Sequence, residues 1–404
     1  MVTSCALLDT EKIMNSSNPQ DLIGQQGSLL PTFLVTGFLG SGKTTFLNWL
    51  LSKSDASKVA VIVNEFGEIG LDHLLIATPV ENIMLIEGGC LCCEVRGDLV
   101  QTLTDLRKRR DNNEIRFFDK VVIETTGLSN PVPIIQTLLC DEDVRDTYQL
   151  SKIITTVDVV NAELQMEKHA ECIRQTAIAD LLLLTKIDLA TPEMLDAVKR
   201  KIKFINPGAG QIDVVKSCPQ NISASDLLSG ETTQSRQSFL DSIAIAESLL
   251  QNLYSASQPA SLWSRSSMTS AAHQVKSLGI ESFVLRRPGE IDGPNLVIWL
   301  NLLSTLKGER LLRLKAILNV EGRPIAIHAA QTVVHEPVEL SEWPSQDRDS
   351  RFVVISQGSI RTEFEQSLAL LDFQAPTPQD VPTFDPKAYQ QFLRLAEAMS
   401  KASA

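Results

Sequence analysis

From Pro31 onward, short apolar runs alternate with stretches of helical periodicity. Phe33–Thr36, Val59–Val63, Lys120–Glu124, Ile153–Val157, Leu181–Thr185 and Ile212–Val215 have the length and aliphatic content of strands. Thr44–Leu51, Leu99–Lys108, Pro133–Leu139 and Glu193–Ile205 read as helices between them. Strands alternating with helices predict an α/β fold, a doubly wound and mostly parallel sheet with helices on both faces. The rhythm fades near Pro219. A helix is expected over Phe239–Tyr254, and the run SASQPASLWSRSSMTSAAH after it reads as a linker. A second block starts near Gly279. Its strand patterns lie at Glu281–Arg286, Leu311–Val320, Pro324–Ala330 and Arg351–Ser356, and its helical ones at Asn295–Leu306 and Thr362–Leu371. This order suits a smaller α+β C-terminal domain. Residues 1–30 are polar and aperiodic and read as a flexible tail. The expected division is a tail over 1–30, a first domain over 31–225, a helix and Ser-rich linker over 226–278, a C-terminal domain over 279–375, and an amphipathic helix or tail over 376–404.

Composition narrows the setting. The chain has 404 residues, 43% hydrophobic and 21% charged, values of an ordinary globular protein with two or three domains. Its formal net charge of −12 disfavours nucleic acid and anionic membrane as partners. No apolar run approaches the length of a membrane span. The first thirty residues lack a basic start followed by a long apolar core, so a cytoplasmic location with reduced thiols is expected. Three of the seven cysteines nevertheless fall within four residues, in EGGCLCCE (Glu87–Glu94). A bridge between the adjacent Cys92 and Cys93 is strained, and a closed zinc site needs four ligands where the run offers three. Clustered thiols in a reducing compartment point to metal ligation or redox chemistry.

Gly37–Thr44 reads GFLGSGKT, which fits G-x-x-x-x-G-K-[ST], follows an apolar strand and opens a helix. Such a loop cradles phosphates with backbone N–H groups, and the helix dipole adds to the attraction. Gly37, Gly40, Ser41, Gly42, Lys43, Thr44 and Thr45 are the candidate phosphate-binding residues, with Lys43 on the β- and γ-phosphates and Thr44 on Mg²⁺. An acidic residue belongs at the end of a neighbouring strand, near that ion. VVIE, followed by TTG, supplies Glu124, and Gly127 is placed to offer its N–H to the γ-phosphate. LLLLTKID (Leu181–Asp188) delivers Thr185, Lys186 and Asp188 to the sheet edge, where open α/β sheets bind ligands. Asp188 can accept two hydrogen bonds from guanine N1–H and N2–H₂, a donor pair adenine lacks. Thr185 stands where such motifs commonly carry Asn.

GFLGSGKTT, NEFGEIGLDHLL (Asn64–Leu75), EGGCLCC, ETTGLSNPVPI (Glu124–Ile134) and TKID together resemble the CobW family of metal-handling P-loop GTPases. LLRLKAILNVEGRPIAIHAAQ in the second block is similar to that family's smaller C-terminal domain. The resemblance implies that Cys90, Cys92 and Cys93 bind a transition metal, typically Zn²⁺ or Co²⁺, and thiolate softness agrees with zinc. Asn64–Leu75 follows the strand Val59–Val63, a place for a GTPase switch, and in it Glu65 and Glu68 are candidates to orient the attacking water or touch the magnesium. Asp72 and His73 are weaker candidates for the metal shell. Two family features are missing. The five histidines form no cluster, and the tail holds Cys5 followed by Ala-Leu-Leu, not a Cys-Pro-Glu-Leu motif for docking a partner.

The resulting expectation is a slow GTPase using GTP and Mg²⁺, with Lys43, Glu65, Glu68 and Glu124 as catalytic candidates. Hydrolysis would gate transfer of zinc from the three cysteines to a client metalloprotein. Two alternatives stand beside it. One is a nucleotide-dependent binding switch whose Cys90–Cys93 pair, at C-x-x-C spacing, senses redox state. The other is a P-loop small-molecule kinase, which the Thr-Lys-x-Asp signature disfavours.

Overall fold

The computed structural model describes residues 29–53, 58–65, 83–87, 94–229, 243–244, 279–307, 310–331, 333–335, 337–344 and 346–372. Residues 1–28 of the expected N-terminal tail, most of the helix expected over Phe239–Tyr254, the Ser-rich linker and the C-terminal helix lie outside the described residues, while Leu30 already belongs to the first strand.

The first sheet has eight strands. They are β1 (Leu30–Gly37), β2 (Val59–Glu65), β3 (Ile83–Glu87), β4 (Lys120–Glu124), β5 (Tyr148–Asp158), β6 (Leu181–Thr185), β7 (Gly210–Val215) and β8 (Cys218–Pro219). Their order is β3-β2-β4-β1-β5-β6-β7-β8. All neighbours run parallel except β7 and β8, as expected of a doubly wound sheet. Strand β3 is an addition to the strands read from the sequence. The longer helices around this sheet are α1 (Lys43–Leu51), α2 (Glu94–Asp111), α3 (Val132–Cys140), α4 (Ala162–Lys168), α5 (Ala170–Ile178) and α6 (Pro192–Ile205). Apolar side chains fill both faces of the sheet. Leu34, Ile62 and Ile123 pack with Leu103 and Ile135 on one side, while Phe33, Val61 and Val122 pack with Phe46 and Leu50 on the other. Burial on both faces explains why these strands read as continuous apolar runs and not as alternating ones.

The second sheet is antiparallel and matches the expected α+β block. It is built from β9 (Ile280–Arg287), β10 (Leu311–Val320), β11 (Arg323–Ala330), β12 (Val333–Val334), β13 (Val338–Glu339) and β14 (Ser350–Gln357). The order is β12-β11-β10-β14-β9, with β13 beside β11. Helices α7 (Gly293–Lys307) and α8 (Arg361–Ser367) cover one face. Trp299 anchors that layer through edge-on contacts with Phe352 and Phe364, at 5.7 and 5.9 Å between ring centres. Such a pair adds about 0.5–1.5 kcal/mol beyond the area it buries.

The two sheets meet through a polar cluster. Arg313 of β10, almost fully buried, donates to the carbonyl of Ile178 at the end of α5 and to the carboxylate of Asp180. It also lies 2.8 Å from Nε2 of His328. Arginine can only donate, so His328 accepts at Nε2 and carries its proton on Nδ1. His335 stacks on His328 at 4.6 Å. Ser282 adds a hydrogen bond to the Phe204 carbonyl at 2.8 Å, and Ile280, Leu312 and Ile355 join the apolar layer around α5 and α6. Burial would raise the Asp180 carboxyl, but the Arg313 and Lys315 charges and the Ile153 N–H outweigh it and hold it below its usual value. Burial, then the Arg313 charge, pulls the Lys315 ammonium down to about 7. Burial also lowers both imidazoles, His335 to about 4.

Candidate functional site

The C-terminal ends of β1, β4, β5 and β6 lie side by side. Val35 pairs with Glu124, Gly37 with Thr156, and Asp158 with Thr185. The loops leaving these ends therefore converge at the point where the strand order reverses, around β1.

The glycine-rich loop leaves β1 and ends on α1, whose N-cap is Gly42 at φ 95°. Gly37 turns at φ 143°, and a Cβ there would overlap Thr156 of the adjacent strand. Ser41 is fixed from below by a 2.7 Å hydrogen bond with the Thr156 hydroxyl. Lys43 reaches across the loop, its Nζ 3.0 Å from the Gly37 carbonyl and 3.3 Å from that of Phe38. Gly40 is at φ 69°, and Thr45 is exposed on the first turn of α1. The loop thus adopts the compact cradle that backbone N–H donors require.

Thr44 and Glu124 are eighty positions apart in sequence, yet the Thr44 hydroxyl donates to Glu124 Oε1 at 3.4 Å. Glu124 is 5% exposed. Two hard oxygen donors beside a phosphate cradle suit Mg²⁺. After Glu124 the chain bends under the loop. The Thr125 N–H donates to Val35 O at 2.9 Å, and the Thr125 hydroxyl to that of Thr36 at 2.8 Å. Gly127 lies against the phosphate loop so closely that an added Cβ would fall 2.6 Å from the Leu39 amide nitrogen. Only glycine fits that approach without displacing backbone.

On the other side of β1, Thr185 does more than replace an Asn. Its hydroxyl lies 2.7 Å from the Ser41 carbonyl and 3.1 Å from that of Val157, joining the phosphate loop to the end of β6. Lys186 follows at φ 59°, with Nζ 2.7 Å from Asp158 Oδ2. Asp188 is exposed and accepts from the Lys216 N–H at 3.3 Å.

Asp158, Thr156, Gln175 and Lys216 join the site without having been singled out in the sequence. Asp158 ends an apolar run, the same placement that marked Glu124, so a signal for it existed. It is 1% exposed and is further bound by the N–H groups of Val160 and Asn161 and the Asn161 side chain. Gln175 carried no local signal.

Glu65 is the last residue of β2, in register with Glu87 at the end of β3. The side chain of Glu65, and the whole of Glu68, Asp72, His73, Cys90, Cys92 and Cys93, lie outside the described residues. The cysteine run falls in the stretch of sequence between β3 and α2. Among the described residues no group of three or more His, Cys, Asp or Glu side chains is gathered to hold a metal. Cys172 is buried, and burial pushes its thiol up to about 12, so it is a protonated, unreactive thiol at neutral pH. No described helix is long and apolar enough to cross a membrane.

Comparison with known proteins agrees with this arrangement. Residues 31–213 match the CobW/HypB/UreG nucleotide-binding domain, and residues 280–371 match the cobalamin synthesis protein CobW C-terminal domain. The zinc chaperone YjiA of Escherichia coli is 43% identical over 157 residues, 39% of this chain and 49% of that protein. The zinc-regulated GTPase metalloprotein activator 1 of Schizosaccharomyces pombe is 31% identical over 211 residues, 48% and 50% of the two chains. The zinc chaperone CobW of Pseudomonas aeruginosa is 31% identical over 214 residues, 45% and 56%. The chain spans about half the length of these curated relatives. The crystal structure of Zn(II)-bound YjiA GTPase from E. coli superposes with a TM-score of 0.59 at 25% identity, covering 85% of this chain and 99% of that one. With both of its characteristic domains matched in order, the chain belongs to the CobW family.

Proposed function

We propose that the protein is a GTP-hydrolysing metallochaperone, acting in the cytoplasm, that carries zinc on Cys90, Cys92 and Cys93 and passes it to a client metalloprotein. One observation carries the nucleotide half. The Thr44–Glu124 pair and the Thr185–Lys186–Asp188 segment stand at one sheet edge, on either side of the phosphate loop. Thr44 and Glu124 would hold Mg²⁺, which supplies charge neutralisation for the phosphates. Lys43 neutralises the β- and γ-phosphates, Gly127 donates its N–H to the γ-phosphate, and Glu65 or Glu68 orients the water. Asp188 reads the guanine edge, and Lys186 lies along the ring. Catalysis on this reading is positioning plus electrostatics, and the sequence offers no evident arginine finger, so intrinsic turnover is slow.

The cargo half is supported by relatives named zinc chaperones and by the ligand chemistry. Three soft thiolates suit zinc, with Co²⁺ as an alternative, and leave a fourth position open for transfer. The run between β3 and α2 begins where β3 ends, beside β2, so the switch and the cysteines leave neighbouring strands. Coupling of cargo to nucleotide follows if they move together.

Phosphate release tests the reading, measured with GTP and Mg²⁺, with and without Zn²⁺, and with ATP as competitor. Turnover of GTP that ATP does not inhibit at equal concentration is the expected result. Inhibition by ATP as strong as by unlabelled GTP would contradict the guanine assignment.

A further inference from the structure

The last turn of α5 touches two distant parts of the molecule at once. Gln175 is 1% exposed and spends its amide nitrogen on two backbone carbonyls, Gly127 at 3.2 Å and Ser129 at 3.1 Å. Both belong to the loop after Glu124. Three residues on, at the end of the same turn, the Ile178 carbonyl accepts from Arg313 of the second sheet. Three residues of helix span only about 4.5 Å. The turn cannot slide between the two contacts. Asn206 closes its end by donating to the carbonyls of Thr176, Ala177 and Ala179 at 2.9–3.0 Å, and the Gln175 carbonyl is tied to the Thr155 hydroxyl at 3.0 Å.

We infer that Gln175 is a positioning residue for the Gly127 loop, and that the α5 turn, held by Arg313, couples the nucleotide state of that loop to the C-terminal domain. The inference rests on the reading of Gly127 as the γ-phosphate contact. Peptide planarity supplies the mechanism. A carbonyl pinned from below fixes the plane that follows Gly127, and with it where Gly127 stands against Leu39. Gln175 Oε1 is buried and has no hydrogen-bond partner among the described residues. Nothing described holds the acceptor end, so the amide is oriented by the two loop carbonyls alone. A movement of the loop on γ-phosphate loss would break those bonds or pull the turn against Arg313. Coupling of this kind is reciprocal, so perturbing Arg313 changes nucleotide preference as well.

The test uses the full chain and the ratio of affinities for a non-hydrolysable GTP analogue and for GDP. It compares the wild type with Gln175→Leu, Arg313→Lys, the double variant and Gly127→Ala, each checked for its unfolding midpoint. Arg313→Lys keeps a cation for Asp180 but has a single ammonium where Arg313 has a fork, and so guards against simple unfolding. Gln175→Leu is expected to lower the analogue-to-GDP preference about tenfold, the equivalent of one or two lost hydrogen bonds, with GDP affinity within about twofold. Arg313→Lys shifts the ratio in the same direction, and the double variant falls no further than the stronger single. Wild-type preference in Gln175→Leu, with preference lost in Gly127→Ala, overturns the inference and leaves the γ-phosphate reading intact. Preference retained in Gly127→Ala overturns both. Strictly additive effects of Gln175→Leu and Arg313→Lys overturn the link to the second domain.

Discussion

Lys186 and Asp158 form an ion pair of 2.7 Å across the ends of two adjacent strands. The carboxylate is almost fully buried and the ammonium half-exposed. Asp158 therefore sets where Lys186 lies, and Lys186 heads the segment that ends in Asp188. Asp158→Asn keeps the shape and removes the charge. Loss of one charge-assisted hydrogen bond is worth about 1.5–3 kcal/mol. Affinities for GTP and GDP should fall together by about tenfold or more, with their ratio kept, because the defect lies at the base and not at the γ-phosphate. Unchanged affinity for both would show that Lys186 does not need this partner.

Thr185 replaces an Asn common in such motifs, and its hydroxyl bonds to the Ser41 carbonyl. Thr185→Val preserves the volume and strands that carbonyl. The penalty for a buried unsatisfied acceptor is about 1–3 kcal/mol. A lower unfolding midpoint and weaker binding of both nucleotides are expected. Titration of fluorescent GDP beside a thermal melt checks this.

The Thr44–Glu124 pair predicts a different defect. Glu124→Gln retains size and an oxygen acceptor but lacks the charge that would oppose Mg²⁺. Nucleotide binding without magnesium should be little affected, whereas GTP turnover should drop on the order of a hundredfold. Phosphate release across a magnesium titration separates the two.

The cluster between the sheets predicts an acid-sensitive interface. His335 is lowered to about 4 in the fold, against 6.5 when free, and His328 moves the same way. Between those values the unfolded chain binds more protons than the folded one, so stability falls as pH falls from about 6.5 towards 4. Asp180, held below its usual value, adds a loss at still lower pH. Lys315 acts at the other end. With a folded value near 7 against 10.5, its contribution to stability improves as pH rises from about 7 towards 10.5. His335→Gln should flatten the acid limb of a midpoint-against-pH curve. A curve identical to wild type below pH 6.5 would remove His335 from the account.

The phosphate loop, Glu124 and the Thr-Lys-x-Asp segment were legible in the sequence because each is a short run at fixed spacing whose chemistry is local. The alternation of runs also carried the sheet's parallel character and the separate second block. What escaped were contacts between runs. Thr185 and Ser41 are 144 positions apart, Gln175 and Gly127 are 48 apart, and Lys186 and Asp158 are 28 apart. They meet because β4, β1, β5 and β6 are neighbours in the sheet, an order that periodicity does not encode. Helix α5 escaped for another reason. Cys172, Ile173, Gln175, Thr176, Ala177 and Ile178 are all buried, so its sequence shows neither a polar face nor a continuous apolar stripe. Strand β3, IMLIE, is as long and nearly as apolar as β4 and β6, so nothing in its own composition hides it from the sequence.

The most direct test of the central claim is zinc binding by the reduced protein against a competing chelator, in GTP-Mg²⁺ and then in GDP-Mg²⁺. A Cys90/Cys92/Cys93→Ser variant runs alongside. Tight binding that the variant loses and that weakens clearly in GDP is the expected result. Binding indifferent to the nucleotide and to the three cysteines would contradict it, leaving a nucleotide-binding protein whose thiols carry no metal.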